Sequence, residues 1–331
     1  MMMPCVTMPS KRPASLEESI EKEEDFSASK RMRGSLKFAS SSSSSSSAIS
    51  KRDFSITLSC VYSFKEMLRN LHNVLVRLSM QVVSRSTSGG EFEGIRVNAM
   101  TSNKSCVCTA RYACSVDLGV ASDQPYTVCV DLKTLHEIFK KISNQSVVTI
   151  RRQNKCSDLE IEFSDSLGMH SFFLHTYAEA DEPVALKSLP TEHSLQVGVE
   201  TIRSFVKQSK ALRATGVSIS ILQDAEDSFV QLSYEGESAS CRRLFATTQR
   251  EDSELHQLAS VSFRKQNRGP ASPSLLFEKT FDNSHLALFL KSMEKDKHVT
   301  LSCGKASPLV VSYTLGFGSH IRFVLAEQLS D

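Results

Sequence analysis

Two stretches of the chain, 151 residues apart, share one pattern of apolar and polar positions without a gap. Over residues 131–142 and 282–293 the apolar side chains recur at i, i+3, i+4 and i+7, which places them on one face of an α-helix. Asp131 and Asp282 precede these runs, where a carboxylate accepts hydrogen bonds from the free amides of a first helical turn. Strand-like sequence follows each helix. The pattern predicts a helix–strand unit that occurs twice, and hence a tandem duplication.

The same periodicity predicts four helices, each followed by β-branched or alternating strand sequence, at residues 62–75, 131–142, 200–213 and 282–294. Two helices fall in each half of the chain. Because an amphipathic helix buries its apolar face against another element, these helices are expected to pack on sheets. The chain of 331 residues, 40% of them apolar, has enough material for two such domains.

Residues 1–52 differ in kind from the rest of the chain. They contain the serine run Ser40–Ser47 and an acidic cluster at 21–25, and they lack apolar periodicity. Such a segment cannot bury enough surface to offset the entropy of ordering, so we predict a disordered tail. Two basic clusters within it fit either a bipartite nuclear import signal or a generic basic tail: Lys11 and Arg12, then Lys30, Arg31 and Arg33.

Cysteine usage and hydropathy narrow the class of protein. The nine Cys are odd in number and have neither C-x-x-C spacing nor a His at zinc-ligand spacing, which favours a reducing compartment and predicts no metal site. Cys106 and Cys108 alternate along a strand and are interpreted as buried thiols. No apolar run approaches the roughly 20 residues that span a bilayer, so neither membrane insertion nor secretion is predicted.

Motifs for catalysis are missing from the sequence. It has no G-x-x-x-x-G-K-[ST] phosphate loop and no G-x-S-x-G elbow, and His136-Glu137 is not followed by the second His of a zinc helix. We therefore expect no catalytic residue, no cofactor and no enzyme activity.

The net charge of the chain without its tail bears on whether the protein can bind nucleic acid. The tail holds nine Lys and Arg and six Asp and Glu, so the body keeps 39 minus 9, or 30, basic and 37 minus 6, or 31, acidic side chains. A nearly neutral body binds nucleic acid only through local placement of charge. Each predicted helix has a basic stripe: Lys65 and Arg69; Lys133, Lys140 and Lys141; Arg203, Lys207 and Lys210; Lys291 and Lys295.

One such stripe is typically a solvated helix face. Four stripes on one side of a sheet layer would converge on a surface that follows a phosphate backbone without reading bases. This arrangement favours DNA contact independent of sequence.

Several segments resemble proliferating cell nuclear antigen, the eukaryotic sliding clamp, over about residues 54–327. They are Gly94-Ile95-x-Val97-x-x-Met100, Leu189-Pro190 with Val197, Val299-Thr300-Leu301-Ser302, Pro308-Leu309-Val310-Val311-x-Tyr313 with Gly318, and Ile321-Arg322-Phe323-x-Leu325-Ala326. The resemblance implies an α+β DNA clamp (processivity) fold with two similar domains, each with two helices on antiparallel sheets. Domain 1 would span 53–177, the connector 178–193 and domain 2 194–331.

In this family the domains close a ring, usually of three chains, with the helices lining the hole. Because an unpaired strand edge is a template for strand addition, we expect edges near 170–177 and 238–247 to join neighbouring chains. The resemblance implies a homotrimeric processivity factor that encircles double-stranded DNA and tethers DNA polymerase and other replication and repair proteins. It also implies a clamp loader and a nuclear location, or a viral replication compartment.

Family partners insert a short motif with aromatic anchors beside the connector, and the matching positions here are Met100, Leu186, Leu189, Pro308 and Val324. Three residues depart from the family pattern. Glu137 is acidic where a base is common, Val324 replaces an aromatic residue, and Glu327 stands where a Pro is usual. Alternatives are a checkpoint-type clamp subunit, a monomeric or dimeric viral processivity factor, and an interaction scaffold that does not bind DNA.

Overall fold

A computed structural model describes residues 52–328 except 87, 90–91, 102, 120–124, 154–157, 179–191, 224–227, 250–255 and 261–273. The predicted tail with its import signal lies outside the described residues, apart from Arg52, which begins the first strand. Residues 179–191 of the predicted connector, including Leu186 and Leu189, also lie outside them. The domain boundaries therefore stay predictions.

The first half of the described chain contains two helices and nine strands. Its elements are β1 (Arg52–Thr57), α1 (Val61–His72), β2 (Arg77–Val83), β3 (Gly94–Met100), β4 (Cys106–Ala113), β5 (Ser115–Leu118), β6 (Tyr126–Asp131), α2 (Leu132–Lys141), β7 (Val148–Gln153), β8 (Asp158–Asp165) and β9 (Gly168–Tyr177).

The second half repeats this order. Its elements are β10 (His193–Gly198), α3 (Val199–Ala211), β11 (Gly216–Gln223), β12 (Ser228–Glu235), β13 (Ser240–Gln249), β14 (His256–Ser260), β15 (Ser274–Asp282), α4 (Asn283–Lys291), β16 (His298–Gly304), β17 (Ser307–Gly316) and β18 (Ser319–Leu325). Nearly every strand pairing is antiparallel, and the pairing is repeated too. β2 lies between β3 and β6 as β11 lies between β12 and β15. The predicted α+β clamp fold of two similar halves is confirmed.

Local sequence explains where the helices begin. Asp131 accepts a hydrogen bond from the Thr134 amide, and Asp282 accepts from the amides of Ser284 and His285, so both predicted N-caps are observed. The helix ends were predicted too far along the chain. α1 ends at His72 rather than at residue 75, and α4 ends at Lys291 rather than at 294. The apolar residues beyond, such as Leu75 and Met293, are buried in the turns that follow.

The core of each half lies between its helix pair and its sheets. In the first half, the Phe64 ring of α1 lies 4.8 Å from Phe139 of α2 and 5.0 Å from Tyr112 of β4, measured between centroids. In the second half, Phe289 of α4 stacks on Phe323 of β18 at 4.4 Å. Cys106 and Cys108 point into the core and are buried free thiols, as predicted. The helices therefore cover one face of the sheets.

The halves are joined by strand pairing between β4 and β18. The register sets His320 opposite Arg111 and Leu325 opposite Cys106. Side chains reinforce this joint, since Ser63 of α1 donates to the Leu315 carbonyl at 2.8 Å and Asn73 donates to the Ser292 hydroxyl at 2.6 Å. The described part of the chain is therefore one continuous body across the two halves.

Candidate nucleic-acid interface and partner site

Eight of the ten predicted DNA-binding side chains lie exposed on the helices or directly after them. These are Arg69, Lys133, Lys140, Lys141, Lys207, Lys210, Lys291 and Lys295. The seven on helices lie on the face opposite the buried stripe, because that stripe packs on the sheets, and Lys295 lies in the turn after α4. The structure therefore presents these cations away from the core.

The other two, Lys65 and Arg203, bind the protein itself. Each is the fifth residue of the first helix in its half, and each donates to carbonyls at the end of the second helix. Lys65 donates to the Ile142 carbonyl, and Arg203 donates to Leu290 at 2.7 Å and to Met293. Free carbonyls at a helix C-terminus carry partial negative charge and favour such cations. Burial lowers the pKa of Lys65.

A cleft of about 570 Å³ brings together predicted residues from three helical regions. It is lined by Arg69 of α1, Arg203 of α3, and Lys291 and Lys295 at the end of α4, together with Ser292, Met293, Glu294 and Asp296. The other six predicted residues do not line this cleft: Lys65, Lys133, Lys140, Lys141, Lys207 and Lys210. Its four cations outnumber its two carboxylates, so the cleft suits an anion such as a phosphate group.

The acidic residue of α2 is paired with a lysine of the same helix. Glu137 accepts a hydrogen bond from Lys140 at 2.6 Å, and this bond lowers the pKa of Glu137. Nearby, His136 is 9% exposed and its ring lies 5.0 Å from that of His72. Burial lowers the pKa of His136, and the charges of Lys140 and His72 lower it further. At neutral pH the positive charge of this helix face comes from its lysines.

Part of the predicted partner pocket lies on the outer face of the sheet that joins the halves. Met100 pairs with Val107, Val107 with Val324, and Val324 with Val310, so one row of apolar side chains crosses four strands. We call these four residues the apolar row. Met100 is 41% exposed, whereas Val310 and Val324 are 7% and 8% exposed. Pro308 lies on the same face of β17, two residues from Val310.

Sequence analysis missed Val107 and Val310. Their place in the row depends on the register between β4 and β18, which are more than 200 residues apart in the chain. A local pattern could have indicated only that each residue alternates with buried neighbours. Leu186 and Leu189, the other predicted pocket residues, lie outside the described residues.

Among the described residues, no helix is long and apolar enough to cross a membrane. Within the same residues, no cluster of three or more His, Cys, Asp or Glu side chains is placed to hold a metal ion.

Comparison with known proteins identifies solved structures that share this architecture. No family model and no curated protein sequence matches the chain. Its structure matches proliferating cell nuclear antigen from Entamoeba histolytica with a TM-score of 0.64 and 16% identity, covering 84% of this chain and 100% of that one. It also matches the antigen from Thermococcus kodakaraensis with a TM-score of 0.61 and 15% identity, covering 83% of this chain and 100% of that one.

The chain has the clamp fold of proliferating cell nuclear antigen. The resemblance indicated by the sequence is thereby confirmed at the level of the fold, although identity is low. Both matches cover the whole of the clamp structure, so every part of the clamp fold has a counterpart here. The basic helix faces and the apolar row are thus features of a clamp fold.

Proposed function

We propose that this chain is a DNA sliding clamp, a processivity factor that encircles duplex DNA without sequence preference. The observation that carries this proposal is the joint between the halves, because the chain also has both edges needed to repeat that joint. Within the described residues, 168–175 of β9 pair only with β8, and 240–244 of β13 pair only with β12. The β9 edge has the predicted length but ends two residues earlier, since Thr176 and Tyr177 pair with β6. The β13 edge is shorter than the predicted 238–247, since β13 begins at Ser240 and Phe245 pairs with β14.

The two edges correspond to the strands that form the internal joint. β9 closes the first half as β18 closes the second, and β13 follows β12 as β4 follows β3. Transferring the internal register sets His170 opposite Arg243 of the partner subunit and Phe172 opposite Cys241 of the partner subunit. A head-to-tail contact of this kind generates a closed ring when the rotation closes. Complementary edges on one chain favour a homo-oligomer, and the clamp fold favours three copies.

The proposed mechanism depends on topology and not on bond chemistry. A closed ring cannot leave duplex DNA sideways, so weak and exchangeable phosphate contacts are enough to keep it in place. A DNA polymerase bound to the ring then stays near the primer end at high effective concentration. Replication and repair proteins with a clamp-binding motif would dock at the apolar row, and a clamp loader would open the ring. The proposed role is not catalytic.

We assign the DNA surface to the eight exposed cations described above. Lys65 and Arg203 are not part of this surface, because their charged groups bind helix carbonyls. Each Lys or Arg near a phosphate displaces a counterion, so affinity should fall steeply with added salt.

The first experiment measures assembly. Light scattering after size exclusion should give three times the 36.7 kDa chain mass. Met169 and Phe173 are 74% and 65% exposed on the free edge of β9, so Met169→Lys with Phe173→Lys should reduce the mass to that of one chain. The matched control is Leu167→Lys with Phe317→Lys, at turn residues 87% and 76% exposed, which should keep the trimer. A monomeric wild type contradicts the ring.

The second experiment measures encirclement. Loaded wild type should stay on nicked circular DNA and slide off the same DNA after linearisation. Charge reversal at Lys140, Lys207 and Lys291 should leave the trimer intact and shorten the products of clamp-dependent synthesis, because it removes cations that face the duplex. Equal retention on circular and linear DNA, or unchanged product length, would count against the proposal.

A further inference from the structure

The cleft of about 570 Å³ lies where the helices of the two halves meet. Arg69 comes from α1 of the first half, whereas Lys291 and Lys295 come from the end of α4 in the second half. Beside them Asn73, directly after α1, donates to the Ser292 hydroxyl at 2.6 Å and bridges the two halves. A ligand in this cleft would therefore contact both halves of the chain.

Most of the positive charge in the cleft is available to a ligand. Among the described residues, Lys291 and Lys295 make no ion pair, and the Arg69 guanidinium approaches a carboxylate only at 3.9 Å. Of the two carboxylates that line the cleft, that of Glu294 is paired with Lys297 at 2.9 Å. Three cations thus face a single unpaired carboxylate within the described cleft, which favours an anionic ligand.

An exposed aromatic side chain lies on the same face of α1 as Arg69. Tyr62 precedes Arg69 by seven residues, or two helical turns, so the two side chains lie roughly 11 Å apart along the helix axis. Tyr62 is 38% exposed, whereas the Phe side chains of the four helices are fully buried: Phe64, Phe139, Phe205 and Phe289. Among the Phe and Tyr residues of these helices, Tyr62 is thus the one whose ring is open to a ligand.

Lys297 connects the Tyr62 ring to the cleft. Its amine lies 5.7 Å from the centroid of that ring and 2.9 Å from the carboxylate of Glu294, which lines the cleft. These two distances limit the separation of ring and carboxylate to about 9 Å. A cation within about 6 Å of an aromatic ring attracts it, and Lys297 is itself held by Glu66 at 3.2 Å. The ring therefore has a defined position beside the cleft.

The combination of cations and an exposed ring narrows the class of ligand. An inorganic phosphate would use the cations alone, and a duplex presents its phosphates while its bases stay stacked inside. An unpaired nucleotide presents both a phosphate and a planar base. Proteins that bind single strands combine cations for the backbone with aromatic side chains on which the bases stack. Continuity with the proposed DNA surface favours such a strand over a peptide.

We propose that the cleft and Tyr62 form a site for an unpaired nucleotide of single-stranded DNA. Arg69, Lys291 and Lys295 bind its phosphate, and the base of the same or the next nucleotide stacks on Tyr62. Because every base has a planar face, the site accepts any sequence. The inference rests on the proposed DNA surface for its three cations, but it requires no ring. In a closed ring, such a site would hold the single strand at a gap or at a primer end.

The test compares two ligands on the full-length protein by fluorescence anisotropy. One is an oligothymidine of about ten residues, and the other is an abasic oligomer of equal length, which keeps the phosphates and lacks the bases. The wild type should bind the oligothymidine at least about fivefold more tightly, which is the lower end of what one stacked base contributes. Tyr62→Ala should abolish this difference by weakening oligothymidine binding alone. Tyr62→Phe, which keeps an aromatic ring, should retain it.

Salt dependence separates stacking from charge. Lys291→Gln with Lys295→Gln should weaken both ligands, and it should reduce the slope of log affinity against log salt by about 0.7, the value for one phosphate contact on a single strand. Tyr62→Ala should leave that slope unchanged, because stacking releases no counterion.

Matched controls lie outside the helices. Tyr177→Ala removes an aromatic side chain that is 42% exposed on β9, and Lys104→Gln with Lys305→Gln removes two exposed lysines. Both variants should bind the two ligands as the wild type does, and every variant should match the circular dichroism of the wild type.

The outcomes distinguish this inference from the proposed function. Equal binding of both ligands to the wild type, or a Tyr62→Ala variant that weakens both ligands equally or neither, overturns the inference. Equal weakening of duplex DNA by Tyr62→Ala assigns the ring to a phosphate contact, which also overturns it. A monomeric wild type with the expected ligand preference removes the ring and supports the inference. If neither oligomer nor duplex binds, the proposed DNA surface fails and the inference fails with it.

Discussion

A cluster of side chains around Glu66 of α1 connects the two halves of the chain. Glu66 is 2% exposed and accepts hydrogen bonds from the Tyr313 hydroxyl and from Lys297 at 3.2 Å. Burial raises the pKa of Tyr313, and its bond to Glu66 raises it further. Burial alone would lower the pKa of Lys297, but the carboxylates of Glu294 and Glu66 raise it. A buried carboxylate is thus supplied with donors from the other half of the chain.

Removing one donor should destabilise the protein. Tyr313→Phe leaves the buried Glu66 carboxylate short of a hydrogen bond, which costs about 1–3 kcal/mol of unfolding free energy. Urea unfolding followed by circular dichroism measures this loss. Ser312→Ala, on the neighbouring outward position of β17, should leave the midpoint within error of the wild type. Equal midpoints for both variants would show that the Glu66 cluster adds no stability.

Acidification should weaken the first half through His136. Burial, followed by Lys140, His72 and Arg69, lowers its pKa below the ordinary 6.5, with Glu137 opposing. The unfolded chain therefore binds this proton more readily, and stability is lost as the pH falls through about 6.5. His136→Gln should show a smaller fall in unfolding free energy between pH 7.5 and pH 5.5. The exposed His298→Gln should fall as the wild type does, and the same slope in all three would refute this role.

Between elements, equivalent cations tie each helix pair together. Lys65 joins α1 to the end of α2 and Arg203 joins α3 to the end of α4, at the same position in each half. The arrangement satisfies carbonyls that have no partner within their own helix. The contact has the same position in both halves, while the residue that makes it differs.

Variants in one helix separate this capping role from DNA contact. Arg203→Met should lower the unfolding free energy by about 1–2 kcal/mol, because the Leu290 and Met293 carbonyls lose a charged donor. Lys207→Met, one turn further along α3, should leave stability unchanged and weaken DNA binding in a fluorescence anisotropy assay. The reverse result, with DNA binding more dependent on Arg203, would contradict the assignment.

How far the sequence determined these features depends on the range of the interactions involved. The caps Asp131 and Asp282 and the apolar helix faces could be predicted because a few neighbouring residues decide them. The partner of Lys65 lies 77 residues away and that of Arg203 lies 87 residues away, so their charge indicated only an exposed stripe. Val107 joined the apolar row only through a long-range strand register.

In the whole molecule, the strand behind one free edge and the other free edge differ in charge. β8, which pairs with the free edge of β9, carries Asp158, Glu160, Glu162 and Asp165, of which only Glu160 has no ion pair within the described residues, whereas the free edge of β13 carries Arg242 and Arg243. Opposite charges speed association and fix register between partners. Unlike edges also prevent a chain from pairing with itself face to face, which favours head-to-tail assembly.

The amino-terminal segment should act independently of this assembly. A fluorescent protein fused to residues 1–51 is expected to accumulate in the nucleus of a eukaryotic cell, because its two basic clusters fit an import signal. Replacing Lys30, Arg31 and Arg33 by Ala should return the fusion to the cytoplasm. Replacing Lys22, Lys37 and Lys51 removes equal charge outside the clusters and should leave accumulation unchanged. Equal distribution of all three fusions would leave only a generic basic tail.

In the proposed ring, the Glu66 cluster would exist only in the joint within each chain. Ser204 is the sixth residue of α3, where α1 has Glu66, and Phe163 occupies the β8 place that matches Tyr313 on β17. In the proposed ring, strong joints within chains would therefore alternate with weaker joints between chains. Any force that opens such a ring would separate an interface between two chains. Each chain would remain folded while the ring is open.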